Sequence, residues 1–240
     1  VRATLDLALR LHKDTHNVFV LCDGTHTSRI NRAQLEDVLT DYPELNLMRI
    51  DGSAISFGQI LRTLQRLPPR TIGFYVGFWK DSTGRTFPLE ESIRQFSVAS
   101  DAPIYVHTDA YAPYGPVGGI VTHGYTQGKA AGSMAARILK GARVSDVPVL
   151  RTSPNVPLFD YDALVRFQIP LSALPQGSIV LDRPPPPLFR RKPVMFWGMA
   201  AVFIVLGGIV SALAVNIAHR RRVEQQLRQS ETDLAITVES

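Results

Sequence analysis

Residues 45–78, LNLMRIDGSAISFGQILRTLQRLPPRTIGFYVGF, place two β-rich runs on either side of a helix. In the middle, Phe57, Ile60, Leu61, Leu64 and Leu67 recur on one helical face. Ser56 followed three residues later by Gln59 is a capping-box pattern. Pro68 and Pro69 end the helix, because proline lacks the N–H that the next turn would need. LNLMRI (45–50) and TIGFYVGF (71–78) are short and rich in β-branched, aromatic or other apolar residues, which suits strands.

Working outward, VFVL (18–21) and PIYVHT (103–108) repeat the strand signal, and amphipathic stretches separate the runs. This alternation predicts an α/β fold with a parallel sheet and flanking helices. A later helix, from about Thr126 to Lys140, aligns Ala131, Met134, Ala135 and Ile138 and stops at Gly141. Its Gly128 and alanine-rich face predict close packing on a sheet. From Val144 the rhythm changes: VPVL (147–150) reads as a strand, FDYDALVRFQI (159–169) as a short helix and SIVL (178–181) as a short strand.

The chain has 240 residues, 45% hydrophobic and 20% charged, but the apolar residues are unevenly spread. From Val194 to Ala218 there is no Asp, Glu, Lys or Arg, and such a run is long enough as a helix to cross ~30 Å of hydrocarbon. Trp197 suits an interfacial anchor, and Gly207 and Gly208 would let a partner helix approach. The net charge of +5 includes Arg190, Arg191 and Lys192 before the run and Arg220, Arg221 and Arg222 after it. Lipid headgroups explain such flanking clusters, so no nucleic-acid partner is expected. Their near balance leaves orientation open on charge alone. Cys22 is the only cysteine, which excludes an internal disulfide and any cysteine-rich metal site. Pro184–Pro187 favour a stiff extended spacer. After the run, Val223, Leu227 and Leu234 fall near one helical stripe, a short coiled-coil pattern. The chain begins with Val1 and reads as part of a longer protein.

In open parallel sheets ligands bind beyond the carboxyl ends of the strands, so the residues that follow each strand are the ones to inspect. Asp23, Gly24 and Thr25 follow VFVL; Trp79, Lys80 and Asp81 follow TIGFYVGF; Asp109, Ala110 and Tyr111 follow PIYVHT. Carboxylates, a hydroxyl and aromatic walls suit a small polar or amine-bearing ligand. The candidate ligand-binding residues are Asp23, Thr25, Trp79, Asp109 and Tyr111, expected to converge on one sheet edge. No catalytic residue, metal site or cofactor is expected. Gly115, Gly118 and Gly119 form neither a dinucleotide fingerprint nor a phosphate loop and read as turn glycines. His107 and His123 lack the spacing of a metal site, and no nucleophile-elbow pattern accompanies the serines.

The stretch SIRQFSVASDAPIYVHTDAYAPYGPVGGIVTHGYTQGKAAGSMAARILKGARVSDVPV (92–149) combines an APIY strand, a VGG turn, a Gly-Lys-Ala-Ala helix and an ILKG ending. In this combination it resembles the ABC-transporter substrate-binding-protein family of periplasmic binding proteins. PNVPLFDYDALVRFQIPLSALPQGSIVLDRPP (154–185) is similar to the version fused to membrane sensor kinases. The resemblance implies a two-lobed periplasmic-binding-protein-like fold that traps a small molecule, an amino acid or an aromatic compound, between α/β lobes. It implies that TLDLALRL (4–11) closes a first lobe lying largely before Val1, and that residues before the span are periplasmic and those after it cytoplasmic.

The expected organisation is therefore a partial ligand-binding domain over residues 1–183, a proline-rich linker over 184–193, a transmembrane helix over 194–218 and a cytoplasmic signalling helix over 219–240 leading towards a PAS-type domain. The corresponding function is the sensing and signalling segment of a two-component sensor histidine kinase in the bacterial inner membrane. Its expected partners are a small-molecule ligand, the membrane, a second copy in a homodimer and a downstream response regulator. A membrane-tethered solute-binding protein of an ABC importer, or the same receptor with a diguanylate cyclase output, are the alternatives.

Overall fold

The computed structural model describes residues 1–185, 197–217 and 219. They fall into two units, Val1–Arg183 and Pro184–Ser240. In the first, α1 (Arg2–Leu11) leads to β1 (Asn17–Cys22), α2 (His26–Leu39), β2 (Asn46–Asp51), α3 (Phe57–Leu64), β3 (Thr71–Tyr75), α4 (Leu89–Ala99) and β4 (Ile104–Tyr105). Then follow β5 (Gly118–Val121), α5 (Gly124–Leu139), β6 (Val156–Asp160), α6 (Tyr161–Arg166) and β7 (Ile179–Leu181). The strands form one sheet in the order β2-β1-β3-β4-β5-β6-β7. Every neighbouring pair is parallel except β5 with β6. The strand direction reverses there, so the parallel sheet with flanking helices expected from the sequence carries one antiparallel pair.

The quoted strand–helix–strand unit is β2, α3 and β3. The Gln59 side chain accepts a hydrogen bond from the Ser56 backbone N–H at 2.9 Å, which satisfies a donor at the start of α3. Phe57, Ile60 and Leu64 of this helix are buried. Leu67 lies beyond the helix end but packs against the same core. Because side chains alternate along a strand, β1 feeds two cores at once. Val18, Val20 and Cys22 enter a layer with Leu5, Leu35, Tyr105 and Leu164, whereas Phe19 and Leu21 enter another with Ile60, Phe78, Ile93 and Phe96. A strand buried on both faces reads as the continuous apolar run seen in NVFVLC.

Several local expectations are corrected by packing. The TLDLALRL helix, expected at the end of a first lobe, packs on this sheet as α1, with Leu5, Leu7 and Ala8 in its core. Thr4 Oγ1 donates to the Ile120 carbonyl at 3.1 Å and accepts from the Ile120 N–H at 3.2 Å, which pins α1 to β5. Gly118 and Gly119 are strand residues, not turn residues, because neighbouring backbones approach too closely for a side chain. Only Gly115 sits in a turn, at φ +100°. Residues 147–150 form no strand, and FDYDALVRFQI splits into the end of β6 and a six-residue α6. Helix α5 has no buried residue, and a Cβ at Gly128 would meet nothing within 4 Å, so the expected sheet packing is not made.

The second unit contributes α7 (Trp197–Ile217), 21 residues that include an 18-residue window with a mean hydropathy of 2.4. At 1.5 Å per residue it is about 31 Å long, enough to cross a hydrocarbon core. Its apolar side chains, among them Phe203, Ile204 and Val210, are exposed all round, an arrangement that water disfavours and lipid accepts. Residues 186–193 of the proline-rich linker lie outside the described residues, as do the flanks of the expected span at 194–196 and 218. Of the signalling helix only His219 is described, so Val223, Leu227 and Leu234 lie outside as well.

Candidate ligand-binding site

Parallel pairing of β1 through β5 brings the carboxyl ends of these strands to one edge. The sheet order changes direction between β1 and β3, and open sheets leave a crevice at such a switch point. Here the turn after β1 meets the loop after β3. Asp23 is completely buried and its carboxylate holds both segments together. Its Oδ1 accepts from the Thr25 N–H at 2.9 Å and the Thr25 hydroxyl at 2.6 Å. Its Oδ2 accepts from the N–H groups of Trp79 at 2.7 Å and Lys80 at 3.2 Å. Ser28 adds a second link, its hydroxyl accepting from the Asp23 N–H and donating to the Gly77 carbonyl, both at 2.9 Å. Thr25 caps α2, with its side chain accepting from the Ser28 N–H at 3.4 Å.

Beside these loops lies a cleft of about 490 Å³ whose walls include Asp23, Gly24, Thr25, Ser53, Lys80 and residues 81–84. Gly24 is there because its Cβ position lies 3.0 Å from the Ser53 Cβ. Asp81 orders the far wall. Burial works against its charge, yet bonds from the Thr83 hydroxyl and from the N–H groups of Phe57, Thr83 and Arg85 outweigh it and lower its pKa. Such a rim of loops is fixed from below by the strands and stitched sideways by carboxylates.

The five candidates occupy this edge in different ways. Asp23 and Thr25 line the cleft. Trp79 is tied by its backbone to Asp23, and its side chain is 47% exposed. Tyr111 makes an edge-on contact with Tyr75 at 4.8 Å between ring centres, near Gly77, and burial with the nearby Asp23 charge raises its pKa. Asp109 stands further along, accepting from the Gly124 N–H at 2.7 Å, where it holds the start of α5. Trp79, Tyr111 and Asp109 do not line the 490 Å³ cleft. Ser53 is absent from the sequence candidates, and His107 enters them only as a residue without the spacing of a metal ligand. The signal for Ser53 was available, since DGS follows the β2 run as DGT follows the β1 run.

His107 stands 5.8 Å from Tyr111, ring centre to ring centre. Burial brings its imidazole down to about 4, although its bond to the Tyr75 backbone works the other way. The folded state thus holds neutral His107, while the unfolded chain takes up a proton below about pH 6.5. Stability is fully present above pH 6.5 and falls as pH drops towards 4, by up to about 3 kcal/mol from this group. Denaturant titrations of the full chain in detergent at several pH values should register this loss, and His107→Gln should flatten part of it. An equal acid sensitivity in the variant would remove His107 from the account.

Residues 87–170 match the ABC transporter substrate binding protein family. No curated protein sequence matches the chain. Among solved structures, the ligand-free, open form of a substrate binding protein with adhesive properties from Clostridium difficile is similar with a TM-score of 0.56 at 14% identity, over 75% of this chain and 59% of that one. A domain from Streptococcus pneumonia in complex with L-Trp is similar with a TM-score of 0.50 at 15% identity, over 74% of this chain and 61% of that one. The chain thus spans about three fifths of the length of the solved proteins it matches. Residues 87–170 are thus similar in sequence to the ABC transporter substrate binding protein family, and the lobe that contains them shares its fold with the solved substrate binding protein from Clostridium difficile.

Proposed function

We propose that this chain is the ligand-sensing and membrane-spanning segment of a receptor, with the lobe periplasmic, α7 in the bacterial inner membrane and the residues after it cytoplasmic. The observation that carries the reading is the presence, in one chain, of a substrate-binding-type lobe and a helix long and apolar enough to cross a membrane. The lobe's ligand is a small molecule, and the aromatic residues at the carboxyl edge favour an amino acid or aromatic compound. Thr25, Trp79 and Tyr111 are its contacts. Asp23 and Asp109, whose carboxylates are engaged by the protein's own N–H groups, position the loops around it.

The output belongs to a two-component sensor histidine kinase acting as a homodimer on a response regulator. The heptad-like stripe of Val223, Leu227 and Leu234 favours this over a tethered solute-binding protein, which needs no coiled coil after its anchor. The test is phosphoryl transfer from ATP to a histidine in membranes containing the full-length receptor, with L-tryptophan and other amino acids as probes. A several-fold ligand-dependent change, lost in Leu227→Glu, is the expected result. Ligand-dependent output that survives Leu227→Glu would discard the coupling through this stripe. Ligand-driven uptake through an importer with no phosphoryl transfer would establish the tethered binding protein instead.

A further inference from the structure

Three turns at the carboxyl edge repeat one short pattern: Asp23-Gly24-Thr25 after β1, Asp51-Gly52-Ser53 at the end of β2 and Asp81-Ser82-Thr83 in the loop after β3. In each, one carboxylate oxygen accepts both the N–H and the hydroxyl of the residue two positions on. The hydroxyls of Thr25, Ser53 and Thr83 donate at 2.6, 2.7 and 2.6 Å. Their N–H groups donate to the same oxygens at 2.9, 2.8 and 2.9 Å.

Backbone contacts bring these turns together. A Cβ at Gly24 would lie 3.0 Å from the Ser53 Cβ, and one at Gly52 would lie 3.3 Å from the Lys80 carbonyl oxygen. Asp23 takes the N–H groups of Trp79 and Lys80, and the Ser82 N–H donates to the Ile55 carbonyl at 3.3 Å. Thr25, Ser53 and Thr83 thereby line the cleft of about 490 Å³ together with Lys80.

What these groups can still bind follows from where their protons are committed. A hydroxyl has one proton and two lone pairs. Thr25, Ser53 and Thr83 give their protons to carboxylates, so towards a ligand each acts as an acceptor, and the charge behind it strengthens that role. Thr25 uses one lone pair on the Ser28 N–H, whereas Ser53 and Thr83 accept no hydrogen bond among the described residues. Both oxygens of each carboxylate are already occupied by protein donors, Asp51 taking Arg32 on its second oxygen at 2.8 Å. Lys80 supplies the cation of this wall. Its side chain is exposed and, among the described residues, in no ion pair.

We propose that this cleft recognises the head group of an α-amino acid, whose ammonium donates to the hydroxyl oxygens of Thr25, Ser53 and Thr83 and whose carboxylate pairs with Lys80. Ser53, Thr83 and Lys80 thereby join Thr25 as specificity-determining residues of the carboxyl edge, on whose reading as the ligand site the proposal rests. An ammonium carries three N–H donors and no acceptor, the complement of three acceptor oxygens. A ligand of one charge alone fits worse. An anion meets the field of three carboxylates behind the hydroxyls, and an amine without a carboxylate meets Lys80 unpaired. The side chain of the amino acid extends out of the cleft towards Trp79 and Tyr111.

Calorimetry of the full chain in detergent compares L-tryptophan with tryptamine, which lacks the carboxylate, and with indole-3-propionate, which lacks the ammonium. L-tryptophan should bind at least about tenfold more tightly than either analogue. Ser53→Ala and Thr83→Val should each weaken L-tryptophan and tryptamine about three- to tenfold and leave indole-3-propionate unchanged. Lys80→Gln should weaken L-tryptophan and indole-3-propionate by about as much and leave tryptamine unchanged. Equal affinity for L-tryptophan and its analogues would overturn the head-group assignment. So would an L-tryptophan affinity unchanged in the Ser53→Ala/Thr83→Val double variant or in Lys80→Gln, or failure of L-tryptophan, L-tyrosine and L-phenylalanine alike to bind. Amide exchange separates such a failure from that of the ligand site itself. Slowed exchange at Trp79 and Lys80 with an analogue alone overturns the head group and keeps the carboxyl edge as the ligand site, whereas no slowing with any of these probes removes both.

Discussion

Gly118→Ala is expected to unfold the lobe or bring it close to unfolding. An alanine Cβ at this position would sit 2.0 Å from the Leu158 carbonyl oxygen and 2.8 Å from the Phe159 Cα, and both obstacles are backbone. Its φ of +114° is a conformation that side chains rarely adopt. Relief would require β5 and β6 to separate, and those strands connect β4 to β7 in the sheet. Strain and overpacking together should cost more than about 4 kcal/mol, against a total stability of about 5–15 kcal/mol for a domain. Chemical denaturation of the full chain in detergent measures the loss. Gly128→Ala is the control: its Cβ meets nothing within 4 Å on the exposed helix α5, so stability should hold or rise by up to about 1 kcal/mol. Wild-type stability in Gly118→Ala would refute the close approach of β5 and β6.

Asp23→Asn should cost about 2–4 kcal/mol and loosen the candidate site before the lobe unfolds. The buried carboxylate accepts four hydrogen bonds, from Thr25 N–H, the Thr25 hydroxyl, Trp79 N–H and Lys80 N–H. Asparagine offers one acceptor oxygen and presents an NH₂ to the remaining donors, so at least one backbone N–H is left buried opposite another donor. Amide hydrogen exchange locates the effect. Exchange at Thr25, or at Trp79 and Lys80, according to which side the NH₂ faces, should accelerate at least about tenfold, while the amides of Phe19 and Leu21 in β1 should change only with global stability. Unchanged protection at Thr25, Trp79 and Lys80 together would mean that these loops are held by other contacts.

The helix over Phe57–Leu64 and the central strands were legible because each is decided locally. A capping pair, a period of 3.6 and a double proline act within a few residues, and a strand buried on both faces must be apolar throughout. The edge where Asp23, Thr25, Trp79 and Tyr111 gather was legible for a related reason. Parallel strands of an open α/β sheet share a direction, so whatever follows them shares an edge. How each residue is used was not legible. Asp23 looks, as a sequence letter, like a residue available to ligand, and only the approach of the loop after β3 consumes its carboxylate.

Gly118 and Gly119 illustrate the remaining gap. As letters they suit a turn. Their strand conformation follows from Leu158, Val106 and Thr4, partners that are distant in sequence and close only after folding. Helix α5 is the converse case. Its alanine-rich stripe has a helical period, which is a local property, but no period states what will cover that stripe.

By itself the sequence determined the α/β class, the resemblance to substrate-binding proteins, the position of the apolar helix and the sheet edge to inspect. Each of these depends on spacing along the chain or on the shared direction of successive strands. The tertiary structure alone decided the antiparallel β5–β6 pair, the docking of α1 on this sheet, the internal use of Asp23 and the placing of Gly118 and Gly119 inside a strand. These arise from contacts between residues far apart in the chain, whose geometry is set by packing the whole core.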